Sequence, residues 1–217
     1  MAAAVRREPR WAPALAVLAL IALPLLLPER LTFGPSWVLP VVCGVFLAAI
    51  VAADPSRTAS RRSGPVRALA IALTVALIGG ALVTTVRLTD DLIHGGPETQ
   101  SAGVLFSSGA LVWINNNVLF GFLYWELDSG GPARRAAAAA RYPDFAFPEH
   151  TSPHIAPPGW RPVFVDYFYL GLTNAMAFSP TDVMPVAPWA KLTMALQSIV
   201  SIVLLSLVIA RAVNILV

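Results

Sequence analysis

The chain has 217 residues, of which 57% are hydrophobic and 12% are charged, with a formal net charge of +3 at pH 7. An ordinary soluble domain carries about 25% charged residues, so this composition excludes that class and indicates an integral membrane protein. The length accommodates several spans of about 20 residues each. We therefore predict a single integral membrane domain over residues 1–217, with no room for a separate soluble domain.

Six apolar segments follow one another along the chain. They cover residues 11–28, 37–53, 68–86, 104–125, 163–178 and 189–216. We predict an all-α fold, a polytopic bundle of transmembrane helices. The first segment lacks a small-residue cleavage site and is interpreted as a retained anchor, with a kink predicted at Pro24. Gly79 and Gly80 in the third segment allow a neighbouring helix to approach closely.

The connections carry most of the charge and proline. The third segment is predicted to end at Arg87, and an acidic loop without Lys or Arg follows over residues 88–103. The longest connection is the proline-rich stretch 127–162. Its alanine run flanked by arginines predicts a short surface helix, and the prolines that follow predict no regular structure.

The arginines predict the topology. If 163–178 crosses the membrane, one side receives 12 of the 15 Lys and Arg residues, leaving Arg30, Arg87 and Lys191 on the other. By the positive-inside rule, both termini are then cytoplasmic in a plasma-membrane protein. The alternative is a re-entrant fifth segment with an external pore entrance, because its 16 residues are near the minimum for a span. That arrangement would put the N-tail and the 54–67 linker outside, so the arginines favour six crossings. Clustered arginines of this kind orient spans, so we expect the lipid bilayer and no nucleic acid as partner.

Polar residues within the apolar segments are costly in lipid, so each is a candidate for a site or for a bond between helices. Asn115, Asn116 and Asn117 point in directions about 100° apart on a helix, so at most two of them face one path. Thr193, Gln197 and Ser201 form one stripe on the last helix. Both patterns fit a polar path and also a helix–helix seam. The candidate path residues are Asn115, Asn116, Asp166, Asn174, Asp182, Thr193, Gln197 and Ser201.

Other chemistry has little support in the sequence. Cys43 is the single cysteine, so an intramolecular disulfide is excluded. Glu149, His150 and His154 lie close together, but Pro153 denies the two histidines one helical face. We therefore expect no metal, no cofactor and no catalytic residue set.

The segment 162–217 has a short apolar helix, a turn with prolines and an acidic residue, and a long apolar helix. This order resembles the pore half of tetrameric potassium channels, with Ala177-Phe178-Ser179-Pro180-Thr181-Asp182 in place of the TVGYGD filter. The resemblance implies a homo-oligomer with Asp182 at the acidic position. Both filter glycines are absent, and the filter depends on backbone carbonyls, so we predict that the protein is not potassium-selective.

The same segment is similar to an uncharacterised bacterial family of multi-pass membrane proteins that end in "DF-YFSF…SD" and an apolar helix. Asp166-Tyr167-Phe168-Tyr169 and Thr181-Asp182 hold the equivalent places here. Two functions therefore stay open. One is a channel- or transporter-like protein for an ion or small solute, and the other is a non-catalytic membrane scaffold or accessory protein.

Overall fold

The computed structural model describes residues 11–32, 34–53, 64–96, 101–136, 142–177 and 182–216, and the chain is mostly helical. A two-residue strand β1 (Phe145–Ala146) pairs antiparallel with β2 (Met184–Pro185). The helices are α1 (Trp11–Ala22), α2 (Val38–Ala53), α3 (Gly64–His94), α4 (Ala102–Leu127), α5 (Pro132–Ala136), α6 (Pro148–Thr151), α7 (Phe164–Ala177) and α8 (Pro188–Leu216).

Three stretches of helix are long and apolar enough to cross a membrane: Ala68–His94, Ala102–Gly130 and Pro188–Ile215. A shorter apolar helical stretch covers Trp11–Leu26. The predicted helical class and membrane location are confirmed at this level. Six segments in one domain stay a prediction.

The predicted kink at Pro24 and the predicted end of the third helix are both wrong. At Pro24 the chain does not kink within a helix, because α1 ends at Ala22 and a 3-10 turn covers Leu23–Leu26. Proline has no N–H to continue the helical ladder. The third helix does not end at Arg87 but continues to His94. Its last turns pack against the bundle through Leu88 and Leu92, which lie one turn apart and are both buried in an apolar cluster.

Arg87 itself is accommodated without breaking α3. Its guanidinium donates to the carbonyl oxygen of Arg30 at 2.9 Å and to that of Thr32. These carbonyls come from the turn after α1, so the charge is satisfied by a segment distant in sequence. The helix can therefore continue past it.

The prediction of no regular structure after the alanine run is also wrong, because β1, α6 and a 3-10 turn at Pro153–Ile155 lie there. Burial of Phe145 and Phe147 in the main apolar core orders this stretch. The predicted surface helix begins as α5, and residues 137–141 lie outside the described residues.

Helix α4 is the centre of the bundle, and α7 packs antiparallel to it. The rings of Trp125 near the end of α4 and Phe164 at the start of α7 are 6.0 Å apart. Further into the bundle, Gly121 of α4 lies against Gly171, which is in the middle of α7. The first residues of α7 therefore lie at the C-terminal end of α4.

Helix α8 also packs antiparallel to α4. Tyr124 near the end of α4 bonds to Gln197, whereas Gly109 near its start lies against Val208. The rings of Phe145 in β1 and Trp189 in the first turn of α8 are 5.5 Å apart. Since both α7 and α8 oppose α4, the two helices run in the same direction and begin at the same end of the bundle.

Candidate functional site

The side chain of Gln197 joins three helices in the interior of the bundle, where it is 1% exposed. Its Oε1 accepts hydrogen bonds from the Tyr124 hydroxyl at 2.7 Å and from Asn174 Nδ2 at 2.8 Å. Its Nε2 donates to the Gly171 carbonyl at 2.8 Å and to Asn117 Oδ1 at 3.5 Å. We call these five residues the Gln197 cluster. Both ends of the amide are fully paired within it.

The polar stripe on α8 faces this cluster. Gln197 and Ser201 are buried, and Thr193 is half-buried, with its hydroxyl donating back to the carbonyls of Trp189 at 2.9 Å and Ala190 at 3.1 Å. Through Gln197, the stripe takes part in the contact that α8 makes with α4 and α7.

Asn174 fastens α7 to α8 at two further points. Its Nδ2 also donates to the Met194 carbonyl at 3.0 Å, and its Oδ1 accepts from the Ser198 hydroxyl at 3.2 Å. Both the amide nitrogen and the amide oxygen of Asn174 are thus used between the two helices. Of the predicted path residues, the structure brings Asn174 and Gln197 into direct contact.

The three asparagines of α4 are all buried but serve different neighbours. Asn116 Nδ2 donates to the Thr85 hydroxyl on α3 at 3.0 Å. Asn117 faces Gln197 and also donates back to the Trp113 carbonyl at 2.9 Å. Asn115 Oδ1 has no hydrogen-bond partner among the described residues. The triplet is therefore split between two helix contacts, as its angular spacing predicts.

Sequence reasoning left Asn117 and Tyr124 out of the candidate path. The two residues are seven positions apart on α4 and so lie on one face. This spacing is the feature of the sequence that could have indicated that the two residues share a site. Tyr124 precedes Trp125 and Glu126 at the end of an apolar segment, where aromatic residues commonly mark the membrane interface.

The two predicted acidic residues lie away from the Gln197 cluster. Asp166 is half-buried in the first turn of α7, and its Oδ2 accepts from the backbone N–H of Val163 at 2.7 Å. This bond satisfies one of the free N–H groups at the start of the helix. Asp182 is exposed just before β2. Residues 178–181, on which the filter comparison depends, lie outside the described residues.

A second polar cluster, which the sequence did not indicate, lies at the C-terminal end of α4. Asp128 is 1% exposed. Its carboxylate accepts from the Tyr167 hydroxyl, the Ser129 hydroxyl at 3.1 Å and the Asp144 backbone N–H at 3.0 Å. This carboxylate therefore ties α7 and the long connection to the end of α4.

Arg135 caps the same helix end. One nitrogen of its guanidinium donates to the carbonyl of Trp125 at 2.6 Å, one of the last carbonyls of α4, which have no partner within the helix. The same nitrogen donates to the carbonyl of Asp128 at 2.8 Å, in the turn that follows. The guanidinium carbon lies 4.9 Å from the Tyr167 ring centroid. Gly130 and Gly131 have φ values of 79° and 98°, so the tight reversal that brings Arg135 back favours glycine.

Aromatic rings cover the Gln197 cluster on this side. Phe145 is fully buried, with its ring centroid 5.2 Å from Tyr124, 5.5 Å from Trp189 and 6.4 Å from Tyr167. β1 thereby closes the end of the bundle with an apolar lid. The paired amides beneath it lie in an environment of low polarity.

Metal-ligand geometry is not found in the described part of the chain, where no three His, Cys, Asp or Glu side chains group together. His150 is engaged by its surroundings. Its Nδ1 accepts from the Phe147 backbone N–H at 3.2 Å, and its ring lies 5.5 Å from that of Trp160.

The fold and these two clusters define a helical membrane protein. Comparison of the chain with family models, with curated proteins and with solved structures gives no match.

Proposed function

We propose that the protein is a channel- or transporter-like membrane protein for an ion or small solute, with α4, α7 and α8 as its working unit. In this proposal α7 is a re-entrant helix. The observation that supports a re-entrant α7 is that α7 and α8 run in the same direction, both antiparallel to α4. A helix that crossed the membrane would deliver the next helix to the opposite side.

The length of α7 supports the same arrangement. Its 14 residues span about 21 Å at 1.5 Å per residue, which is short of the roughly 30 Å hydrocarbon core. The 29 residues of α8 span about 44 Å and are sufficient. The pairing of β2 with β1 supports a return of the chain to the side on which α7 begins.

The charges give this arrangement an orientation. With α1, α2, α3, α4 and α8 as the crossing helices, 12 of the 15 Lys and Arg residues again belong to one side, and Arg30, Arg87 and Arg211 to the other. The positive-inside rule then puts the N-terminus and the mouth of the re-entrant hairpin in the cytoplasm and the C-terminus outside. An arrangement with six crossings leaves the same number of Lys and Arg residues inside. The direction of the helices is therefore the observation that favours five crossings.

The Gln197 cluster fastens the re-entrant helix to its two neighbours, and Asp182 lies exposed at the mouth of the hairpin. A carboxylate at a mouth attracts cations by its charge. Potassium selectivity is not part of the proposal, because Ser179-Pro180-Thr181 replaces the filter glycines. As in the channels that the segment resembles, the working form is a homo-oligomer.

A second candidate is a membrane scaffold or accessory protein. The observation that favours it is the complete pairing of the Gln197 amide within one chain. In this case the buried polar residues need no solute, because each serves to hold the bundle together.

Flux through liposomes tests the proposal. We expect the purified protein to conduct cations without a channel-like preference for potassium over sodium. Asp182→Asn should reduce this flux, because it removes an exposed negative charge at the mouth of the hairpin. Asp90→Asn is the matched control, an exposed carboxylate at the other end of the bundle, and should leave flux unchanged.

Three outcomes of the flux measurement would count against the proposal. Folded parent protein that carries neither ions nor small solutes would favour the scaffold. Strong selectivity for potassium would contradict the argument from the filter. Equal flux in the Asp182 variant and the parent would remove Asp182 from the path.

A further inference from the structure

A groove runs along the outer surface of the bundle between α3 and α8. Its volume is about 380 Å³, and it is open along the surface. Ile93, Ile202 and Val203 are exposed in it. It is lined by Thr89, Ile93, Ile202, Val203, Ser206 and Leu207. Because both flanking helices are long enough to span a membrane, the groove opens towards lipid.

Arg211 lies at one end of this groove. It follows Leu207 by one helical turn and so shares its face of α8. Its guanidinium reaches the end of α3, where a Cβ added to Gly95 would lie 2.8 Å from Nη2. Its Nε is buried and has no hydrogen-bond partner among the described residues. A cationic group with an unpaired donor therefore terminates an apolar groove.

Other charged residues lie at this end of the bundle. Asp90 lies 3.0 Å from the ring of His94, and the carboxylate of Asp91 lies beside Gly96. Arg87 donates to the carbonyls of Arg30 and Thr32. A phosphate at this end would bring acceptor oxygens to the guanidinium of Arg211.

We propose that the groove and Arg211 form a binding site for an anionic glycerophospholipid. The phosphate is held by the guanidinium, whose planar set of donors matches phosphate oxygens in geometry and charge. One acyl chain lies in the groove between Ile93 and Val203. The site depends on the membrane location of the protein and not on its transport activity, so it stands if the protein proves to be a scaffold.

The test is lipid binding to the purified full-length protein, measured by native mass spectrometry with phosphatidylglycerol or phosphatidylcholine of identical acyl chains. We expect phosphatidylglycerol to bind more tightly. Arg211→Gln should weaken its binding about tenfold, which is the ratio expected for one charge-assisted hydrogen bond. Val203→Trp, which fills the groove at an exposed position, should weaken it without removing the charge. Arg30→Gln, an exposed arginine outside the groove, should leave it unchanged.

Four outcomes would overturn the site. Unchanged binding in Arg211→Gln would remove the headgroup contact. An equal loss in Arg30→Gln would indicate diffuse attraction to charge. Equal binding of the two lipids would show that the anionic headgroup is not recognised. A dimer that Val203→Trp dissociates would show that a second copy of the chain covers the groove.

Discussion

Gly121→Val is expected to prevent α7 from docking on α4, whereas Gly79→Val should be tolerated. A Cβ at Gly121 would lie 2.9 Å from the Cα of Phe168 and 3.4 Å from the Tyr167 carbonyl, and backbone atoms cannot yield as a flexible side chain does. Overpacking costs about 1–3 kcal/mol or more, and we expect the loss at or above the upper end of that range. The melting temperature in detergent measures it.

Gly79 provides the matched control. It lies inside helix α3, and a Cβ added there meets no atom within 4 Å. Valine replaces glycine in a helix in both variants, so intrinsic helix propensity is the same in each. Equal melting of Gly121→Val and the parent would contradict the close α4–α7 contact. An equal loss of stability in Gly121→Val and Gly79→Val would show that the loss comes from helix propensity and not from the contact with α7.

Gln197→Leu should be the most destabilising of the polar substitutions. It removes the partner that the Tyr124 hydroxyl, the Asn174 amide and the Gly171 carbonyl share, and it leaves the buried Tyr124 hydroxyl without a hydrogen bond among the described residues. An unpaired buried group costs about 1–3 kcal/mol, and leucine cannot replace any of these bonds. We expect a lower melting temperature and a loss of compact protein on gel filtration.

Asn116→Leu is the variant with which Gln197→Leu is compared. Asn116 bonds to a single side chain, that of Thr85, and such contacts in membrane proteins average about 0.6 kcal/mol. Its melting temperature should therefore fall much less. If Gln197→Leu is as stable as the parent while flux is lost, Gln197 lines a wet path instead of holding the helices together.

The membrane class could be predicted because hydropathy is a local property of the chain. Helix ends were harder, since the continuation of α3 depends on carbonyls at Arg30 and Thr32 that satisfy Arg87 from a distant segment. The proline-rich connection is ordered by burial of Phe145, which is likewise a tertiary effect.

The candidate site was predictable only in part. The polar stripe on α8 and Asn174 could be recognised because buried polar residues stand out in an apolar segment. Their partners could not, because the bond between Tyr124 and Gln197 joins residues far apart in sequence. Asp128 falls within the predicted connection 127–162, and nothing near it in sequence indicates its contact with Tyr167.

Whether the chain returns to one side between α7 and α8 is the clearest case of what sequence leaves open. The apolar residues of α7 are compatible with a crossing or a re-entrant helix, and 12 of the 15 Lys and Arg residues lie on one side in both arrangements. Since α7 runs antiparallel to α4 in either case, only the contacts of α8 with α4, Tyr124–Gln197 and Gly109–Val208, distinguish the two. The central claim is therefore the return of the chain to one side between α7 and α8.

Labelling of single cysteines in intact cells with a membrane-impermeant thiol reagent tests that claim most directly. The reporters are Tyr142→Cys, Val186→Cys and Asn214→Cys, all at exposed positions, in a Cys43→Ala background. All three should label after lysis, which controls for accessibility. The re-entrant arrangement predicts that positions 142 and 186 are both protected in intact cells and that position 214 is labelled. Labelling at position 186 with protection at position 214 would contradict it and establish that α7 crosses the membrane.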